Sequence, residues 1–309
     1  MTTALITHPA CLLHEPPPGH PERPARLSEV LKVLEGPEFG ALLRRAAPEA
    51  DQRSLARVHD PDFVAELLEA MPQSGYAQID SDTIASPGTA EAILRAAGAV
   101  ILGVDMVLKG EAGNAFCAVR PPGHHAMPAR AMGFCFFNSV AVGALHARAV
   151  HGLTHIAVVD FDVHHGNGTQ AMFTPDPELF YASTHQSPLY PGTGSPDETG
   201  IANNIVNAPL APGAGGPEFR RALEREILPA LTAFRPELVI ISAGFDAHRD
   251  DPLAELRLDE SDFAWATQSL CAIAKKSCGG RVVSSLEGGY DLAATARSAG
   301  AHVRALMAA

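Results

Sequence analysis

The run His155-Ile156-Ala157-Val158-Val159 is apolar and β-branched, and it stops abruptly at Asp160-Phe161-Asp162-Val163-His164-His165-Gly166-Asn167-Gly168. An unbroken apolar run of this kind reads as a strand buried on both faces, as in a parallel sheet. Residues two apart on a strand point the same way. Continued extension would therefore turn Asp160, Asp162 and His164 to one side. In open α/β sheets, ligands bind beyond the carboxyl ends of the strands. Two acids and a histidine gathered there need a cation, and a divalent metal is the economical partner. A polar strand exit with solvated charges is the plainer alternative.

The same punctuation recurs along the chain. A strand over Asn114 to Arg120 ends at Pro121-Pro122-Gly123-His124-His125. One over Glu178 to Thr184 leads into His185, and Pro236 to Gly244 leads into Phe245-Asp246. Arg281 to Leu286 leads into Glu287-Gly288-Gly289-Tyr290. Thr3 to Thr7 supplies a further short strand. Between the strands, helical spacing and capping residues predict helices. These cover Ala25–Leu34, a segment opened by Asp60 and Pro61, and a long Ala-rich segment from Ser86-Pro87 to about Leu108. Further helices are predicted over Asn138–Val150, Pro217–Phe234, Asp259–Lys276 and Leu292–Met307. His14 to Pro24 is a Pro- and Gly-rich loop, and Thr193 to Gly215 reads as a structured surface excursion. Strands and helices alternate without a linker or composition break. A single three-layer α/β/α domain over residues 1–309, with a mostly parallel sheet, is the expected fold class.

Composition narrows the function. The 309 residues carry a net charge of −12, which argues against a nucleic-acid binder and permits a basic substrate. The five cysteines, Cys11, Cys117, Cys135, Cys271 and Cys278, are odd in number and form no C-x-x-C pair. A disulfide framework or thiolate zinc cage is not signalled, and a reducing compartment, the cytoplasm, is expected. The first residues lack a basic stretch and a sustained apolar stretch, so neither a signal peptide nor a membrane span is expected.

Six ordered motifs carry a resemblance. They are Arg120-Pro121-Pro122-Gly123-His124-His125, Gly133-Phe134-Cys135-Phe136-Phe137-Asn138, Asp160 to Gly168, Pro191-Gly192-Thr193-Gly194, Ser242-Ala243-Gly244-Phe245-Asp246 and Leu286-Glu287-Gly288-Gly289-Tyr290. Together they resemble the histone deacetylase family, on its bacterial, class II-like side, within the arginase/deacetylase superfamily. The resemblance runs from His20-Pro21-Glu22 to Tyr290. It implies an eight-stranded parallel sheet flanked by helices, and hydrolysis of an acyl amide by metal-activated water.

It also implies roles. Asp162, His164 and Asp246 would hold one zinc ion with a position left open, the mark of a catalytic site; ligand type alone also admits iron(II). His125 would be the general base and then acid, with His124 assisting electrostatically. Asp160 would orient His124, and Asn167 would orient His125 while leaving it less basic than an acidic partner would. Tyr290 would donate to the oxyanion. Gly133 and Phe134 would form one wall of a narrow tunnel and Tyr190, where the family usually has Phe, the other. Asp82 would sit at the rim. Arg26 would line an interior exit channel, although a surface salt bridge fits it equally. Structural potassium is implied at two places. The nearer involves Asp160, Asp162, His164, Ser183 and Thr184; the farther involves carbonyls of Phe173, Asp176 and Leu179 with the region of Asn204.

The substrate that the resemblance implies is an acyl-lysine peptide or protein, or a small acylated amine. Polyamine-selective relatives carry an acidic gatekeeper at the mouth, and the matching position here is Leu253. That favours lysine-type substrates, although Asp250, Asp251 or Glu255 could supply the charge instead. The rivals are an acetylpolyamine deacetylase, a metal-bound sensor with weak turnover, and a two-metal ureohydrolase. The sequence permits a homo-oligomer.

Overall fold

Strands that are apolar at every position can only be satisfied by cover on both faces, which parallel pairing with flanking helices provides. The computed structural model describes residues 2–309. Its strands, in chain order, are β1 (Thr3–Thr7), β2 (Leu43–Ala46), β3 (Ala77–Gln78), β4 (Ile84–Ala85) and β5 (Asn114–Cys117). They continue with β6 (Ile156–Asp160), β7 (Leu179–Gln186), β8 (Ile205–Leu210), β9 (Leu238–Ala243) and β10 (Val282–Leu286). β3 and β4 make a small antiparallel pair. The other eight form one parallel sheet in the order β2-β1-β5-β10-β9-β6-β7-β8.

Helices cover both faces, as adjacent residues of β5 demonstrate. Ala115 faces Gly103 of helix Thr89–Leu108, while the Phe116 ring meets His302 of helix Leu292–Met307 at 5.4 Å. Neighbouring side chains on a strand point oppositely, so the two helices lie on opposite sides. The central strands β6, β9 and β10 are buried along their whole length. Their carboxyl ends, with those of β5 and β7, converge on one edge of the sheet, where the polar residues begin.

Several elements depart from the expectations. Two strands of the sheet escape the sequence pattern. β2 is Leu-Arg-Arg-Ala, an exposed edge whose arginines discourage further pairing. β8 lies inside the stretch expected to be a surface excursion and forms the other edge of the sheet. The helix expected from Ser86 starts instead at Thr89 with Gly88 as its cap, while the Thr89 hydroxyl accepts from the Ser86 amide at 2.8 Å. The helix expected over Pro217–Phe234 contains a π turn at Leu223–Ile227. Pro229 follows within one turn and cannot donate to the helical ladder, a common origin of such irregularity. The His14–Pro24 loop is pinned: buried Glu22 accepts from Arg120 at 2.6 and 2.8 Å and from Arg26 at 2.9 Å.

Candidate active site

β6 ends at Asp160, so the expected alternation of Asp160, Asp162 and His164 along one strand does not hold. Side-chain turns replace it. The Asp162 amide donates to Asp160 Oδ1 at 3.1 Å, and the His164 amide donates to Asp162 Oδ1 at 2.9 Å. Short acidic side chains favour such local bonds to the following backbone. The outcome still gathers the predicted metal residues. His164 Nδ1 lies 3.1 Å from Asp162 Oδ1 and 3.2 Å from Asp246 Oδ2. Asp246, after β9, also accepts from the Val163 amide at 2.8 Å, which ties the two strand exits together.

A tetrahedral ion with bonds near 2.0 Å separates its donors by roughly 3.3 Å. The spacing at Asp162, His164 and Asp246 fits such an ion, and the donor set of two carboxylates and one imidazole suits a divalent metal. Both carboxylates are fully buried, a placement that costs heavily unless a cation compensates them. Gly288 makes room for them: a Cβ there would lie 2.0 Å from Asp246 Oδ2 and 2.5 Å from Asp162 Oδ2. A second histidine–carboxylate group, Asp105 with His146 and His151, is different. Both rings sit 2.7 Å from the same Asp105 oxygen, which is hydrogen-bond spacing. Arg57 donates to His146 Nδ1 at 3.1 Å, so the proton stays on Nε2 and that nitrogen cannot ligate.

The Pro-Pro-Gly corner after β5 aims both rings of His124 and His125 at this group, with centroids 4.0 Å apart. His124 Nδ1 contacts Asp160 Oδ2 at 2.9 Å, while its Nε2 lies 3.8 Å from Asp162. Burial disfavours its charge, but Asp162 and Asp160 outweigh that and raise its pKa to about 10. His125 Nδ1 contacts Asn167 Oδ1 at 2.8 Å, and the Asn167 amide nitrogen faces the sulfurs of Met127 and Met132. The Asn167 oxygen therefore accepts, Nδ1 carries the proton, and Nε2 is left with its lone pair. Burial, then the positive charge of the adjacent His124, hold the His125 pKa well below the usual range. The two adjacent histidines are thus driven apart, one held as a cation and one neutral, the pattern that divides electrostatic from proton-transfer roles.

Tyr290 is buried behind Gly288-Gly289. Its ring lies 4.7 Å from the Arg26 guanidinium and 5.9 Å from the Phe134 ring. Burial raises its pKa well above the ordinary value, so the phenol keeps its proton. Arg26 is fully buried, which excludes the surface salt bridge; it donates to the carbonyls of Gly289 and Glu287, both at 2.5 Å.

Two supporting carboxylates were not legible as such. Asp251 accepts from the Tyr290 amide at 2.7 Å and the Leu253 amide at 3.0 Å, joining the two segments. Glu287 accepts from the Gly123 amide at 2.6 Å and the His124 amide at 3.2 Å, bracing the histidine corner. The Leu-Glu-Gly-Gly-Tyr motif contained Glu287, but its reach across the sheet edge has no local signature.

A cavity of about 230 Å³ leads to these groups. His125, His164 and Tyr290 lie at its buried end, Phe134 and Leu189 along it, and Tyr190, 39% exposed, at its mouth. Gly133, Asp82 and Leu253 also line it. Gly133 packs against His125, where a Cβ would stand 2.5 Å from the ring. Phe134 adopts φ +67°, a costly conformation for a bulky residue. Asp82 and Thr83 hold it there: Asp82 Oδ1 accepts from the Gly133 amide at 3.0 Å, and the Thr83 hydroxyl accepts from the Phe134 amide at 3.1 Å. His20 packs on the Phe134 ring at 4.7 Å. Thr83 and His20 belong to this wall and were missed, because neither is near it in sequence.

The residues expected at the nearer potassium site do come together, since Asp160 and Ser183 are register partners across β6 and β7 and Thr184 follows directly. The residues of the farther grouping also come together. Carbonyls of Phe173, Asp176 and Leu179 converge on the side-chain nitrogen of Asn204.

Comparison with known proteins agrees with this architecture. The family model described as Histone deacetylase domain matches residues 20–306. A histone deacetylase-like amidohydrolase of Pseudomonas aeruginosa is 40% identical, covering 88% of this chain and 73% of that protein. Histone deacetylase 14, chloroplastic, of Arabidopsis thaliana is 39% identical over 94% of this chain and 73% of its own length. The crystal structure of the HDA15 HD domain superposes with a TM-score of 0.94 at 37% identity, covering 99% of this chain and 88% of that one. The chain therefore belongs to the histone deacetylase family of the arginase/deacetylase superfamily, a family of deacetylases and amidohydrolases.

Proposed function

We propose that the chain is a zinc-dependent amidohydrolase that removes acetyl, or another acyl group, from lysine-type amines, giving a carboxylate and the free amine. Asp162, His164 and Asp246 would hold the ion, whose Lewis acidity brings the pKa of water to about 7 and polarises the amide carbonyl. His125, neutral with Nε2 free, takes the proton from the attacking water and returns it to the leaving nitrogen. His124 stays cationic beside Asp160 and offsets the negative charge that develops. Tyr290, held protonated, donates its O–H to the substrate oxygen as that oxygen becomes an oxyanion. Phe134 and Tyr190 grip the apolar stem of the substrate, and Asp82, besides holding the Phe134 turn, presents a carboxylate at the rim. A potassium ion at Asp160, Asp162, His164, Ser183 and Thr184 is part of this proposal, supported by their adjacency. So is a reducing location such as the cytoplasm, supported by five unpaired, buried cysteines. Among the described residues, no helix is long and apolar enough to cross a membrane.

The observation that carries the substrate class is the cavity mouth. Leu253 lines the cavity, whereas none of the three acids near it in sequence that could replace a gatekeeper does. Asp251 is turned inward to backbone amides, Asp250 pairs with Arg297 at 3.3 Å, and Glu255 is exposed and is not part of the cavity lining. A distant substrate ammonium thus gains no partner at position 253, and the one acid that lines the cavity, Asp82, is engaged by the Gly133 amide at 3.0 Å and the Thr83 hydroxyl at 2.9 Å; an acyl-lysine needs only an apolar passage. The test is the ratio of kcat/KM for an acetyl-lysine peptide to that for acetylspermidine. A ratio well above one is expected, and a ratio well below one would assign the enzyme to polyamines. Leu253→Glu should lower the ratio by roughly tenfold, the worth of one partly desolvated charge pair of about 1.4 kcal/mol.

A further inference from the structure

The corner where helix Asn167–Phe173 meets β7 and β8 brings three backbone oxygens to one point. The segment is Phe173-Thr174-Pro175-Asp176-Pro177-Glu178-Leu179. Successive turns fold it: the Asp176 amide donates to the Phe173 carbonyl at 3.1 Å, and the Leu179 amide donates to the Asp176 carbonyl at 3.1 Å. Residues three apart then present their carbonyls to the same side. Asn204 Nδ2 sits among them, 2.9 Å from Phe173 O, 3.0 Å from Asp176 O and 2.8 Å from Leu179 O. The residue is only 3% exposed.

This arrangement is unusual for an amide. An NH₂ group has two protons, so three oxygens at full hydrogen-bond distance exceed what it can serve singly. Three carbonyls around one centre are instead the surroundings of a hard monovalent cation. The orientation of the amide is fixed by its other end. Asn204 Oδ1 receives the Ala202 amide at 3.4 Å and fills the space beside Gly200, where a Cβ would lie 2.3 Å from it. Turning the amide over would set Oδ1 against three carbonyls and Nδ2 against an N–H. The Asn204 carbonyl is already engaged, accepting from Tyr181 in the sheet at 2.9 Å.

We propose that the Asn204 side chain takes the place of the second monovalent cation, so that this corner of the fold is closed by a covalently attached amide and needs no ion. The conclusion is independent of the reaction proposed above. It has a consequence for the site, because the helix anchored here begins at Asn167, the partner of His125. The anchor of that histidine does not then depend on salt through this corner.

Thallium(I), a potassium mimic located by its anomalous scattering, tests the proposal. Crystals of the full chain grown with thallium in place of potassium should show no thallium between the Phe173, Asp176 and Leu179 carbonyls. Asn204→Asp should create the cation site, since an isosteric carboxylate facing three carbonyls is repelled unless an ion lies between them. In that variant, replacing choline by potassium at constant ionic strength should raise the melting temperature several degrees beyond any rise in the wild type, as mass action requires of an ion bound only by the folded state. Thallium among the carbonyls of the wild type, with the amide displaced, would overturn the proposal. So would an Asn204→Asp variant whose melting responds to potassium no more than the wild type does. The crystallographic arm decides the matter even if the variant fails to fold.

Discussion

Asp246→Ala is expected to strip the protein of its metal and to abolish turnover. Asp246 is one of two fully buried carboxylates that face His164 Nδ1 at donor spacing, and the remaining pair cannot hold a divalent ion in a closed arrangement. The loss reaches further than one ligand. Asp246 also accepts from the Val163 amide at 2.8 Å, so its removal loosens the segment that carries His164. Elemental analysis of purified protein should find about one equivalent of transition metal in the wild type and a small fraction of that in the variant, following the cost of losing a ligand and its support. Asn in place of Asp246 keeps the size and one acceptor, and should retain part of the metal while lowering affinity. Equal metal content in wild type and Asp246→Ala would remove Asp246 from the site.

What the sequence disclosed, and what it hid, divides along physical lines. Buried strands announce themselves because both faces must be apolar, and β1, β6, β9 and β10 lie where Thr3–Thr7, His155–Asp160, Pro236–Gly244 and Arg281–Leu286 were expected. Edge strands carry no such obligation. Arg44 and Arg45 in β2, and Asn207 and Pro209 in β8, suit a strand with one free edge and leave no periodicity to read. Helix ends were legible where an acid or amide side chain caps the backbone, as at Asp60, Asn138 and Asp259. Ser86 misled because its partner turned out to be a threonine hydroxyl three residues on. The chemistry-bearing residues stood at strand exits and could be found by motif. Their supports could not: Asp251, Glu287, Thr83 and His20 reach the site by folding, and nothing local distinguishes them from solvated side chains. Asn204 shows the converse limit. Its position was noted, but only the structure reveals that its amide nitrogen occupies the centre of the carbonyl group.

Tyr290→Phe should leave the metal and the fold in place and lower kcat by roughly 100- to 1,000-fold, the typical cost of one oxyanion donor. The substitution removes a single oxygen. The ring keeps its contacts with Arg26 at 4.7 Å and Phe134 at 5.9 Å, and the backbone keeps its bond to Asp251 at 2.7 Å. Because burial holds the phenol protonated, its role is to donate, and that donation matters most when the substrate oxygen gains charge. The loss should therefore appear in kcat and kcat/KM together, with KM little changed. Asp251→Asn offers the contrast. It weakens the hold on the Tyr290 amide without touching the hydroxyl, so it should lower kcat less and add a change in KM through Leu253, whose amide the same carboxylate holds at 3.0 Å. Near-normal turnover by Tyr290→Phe, with metal content intact, would show that the oxyanion is stabilised by another group and that Tyr290 serves only the wall of the cavity.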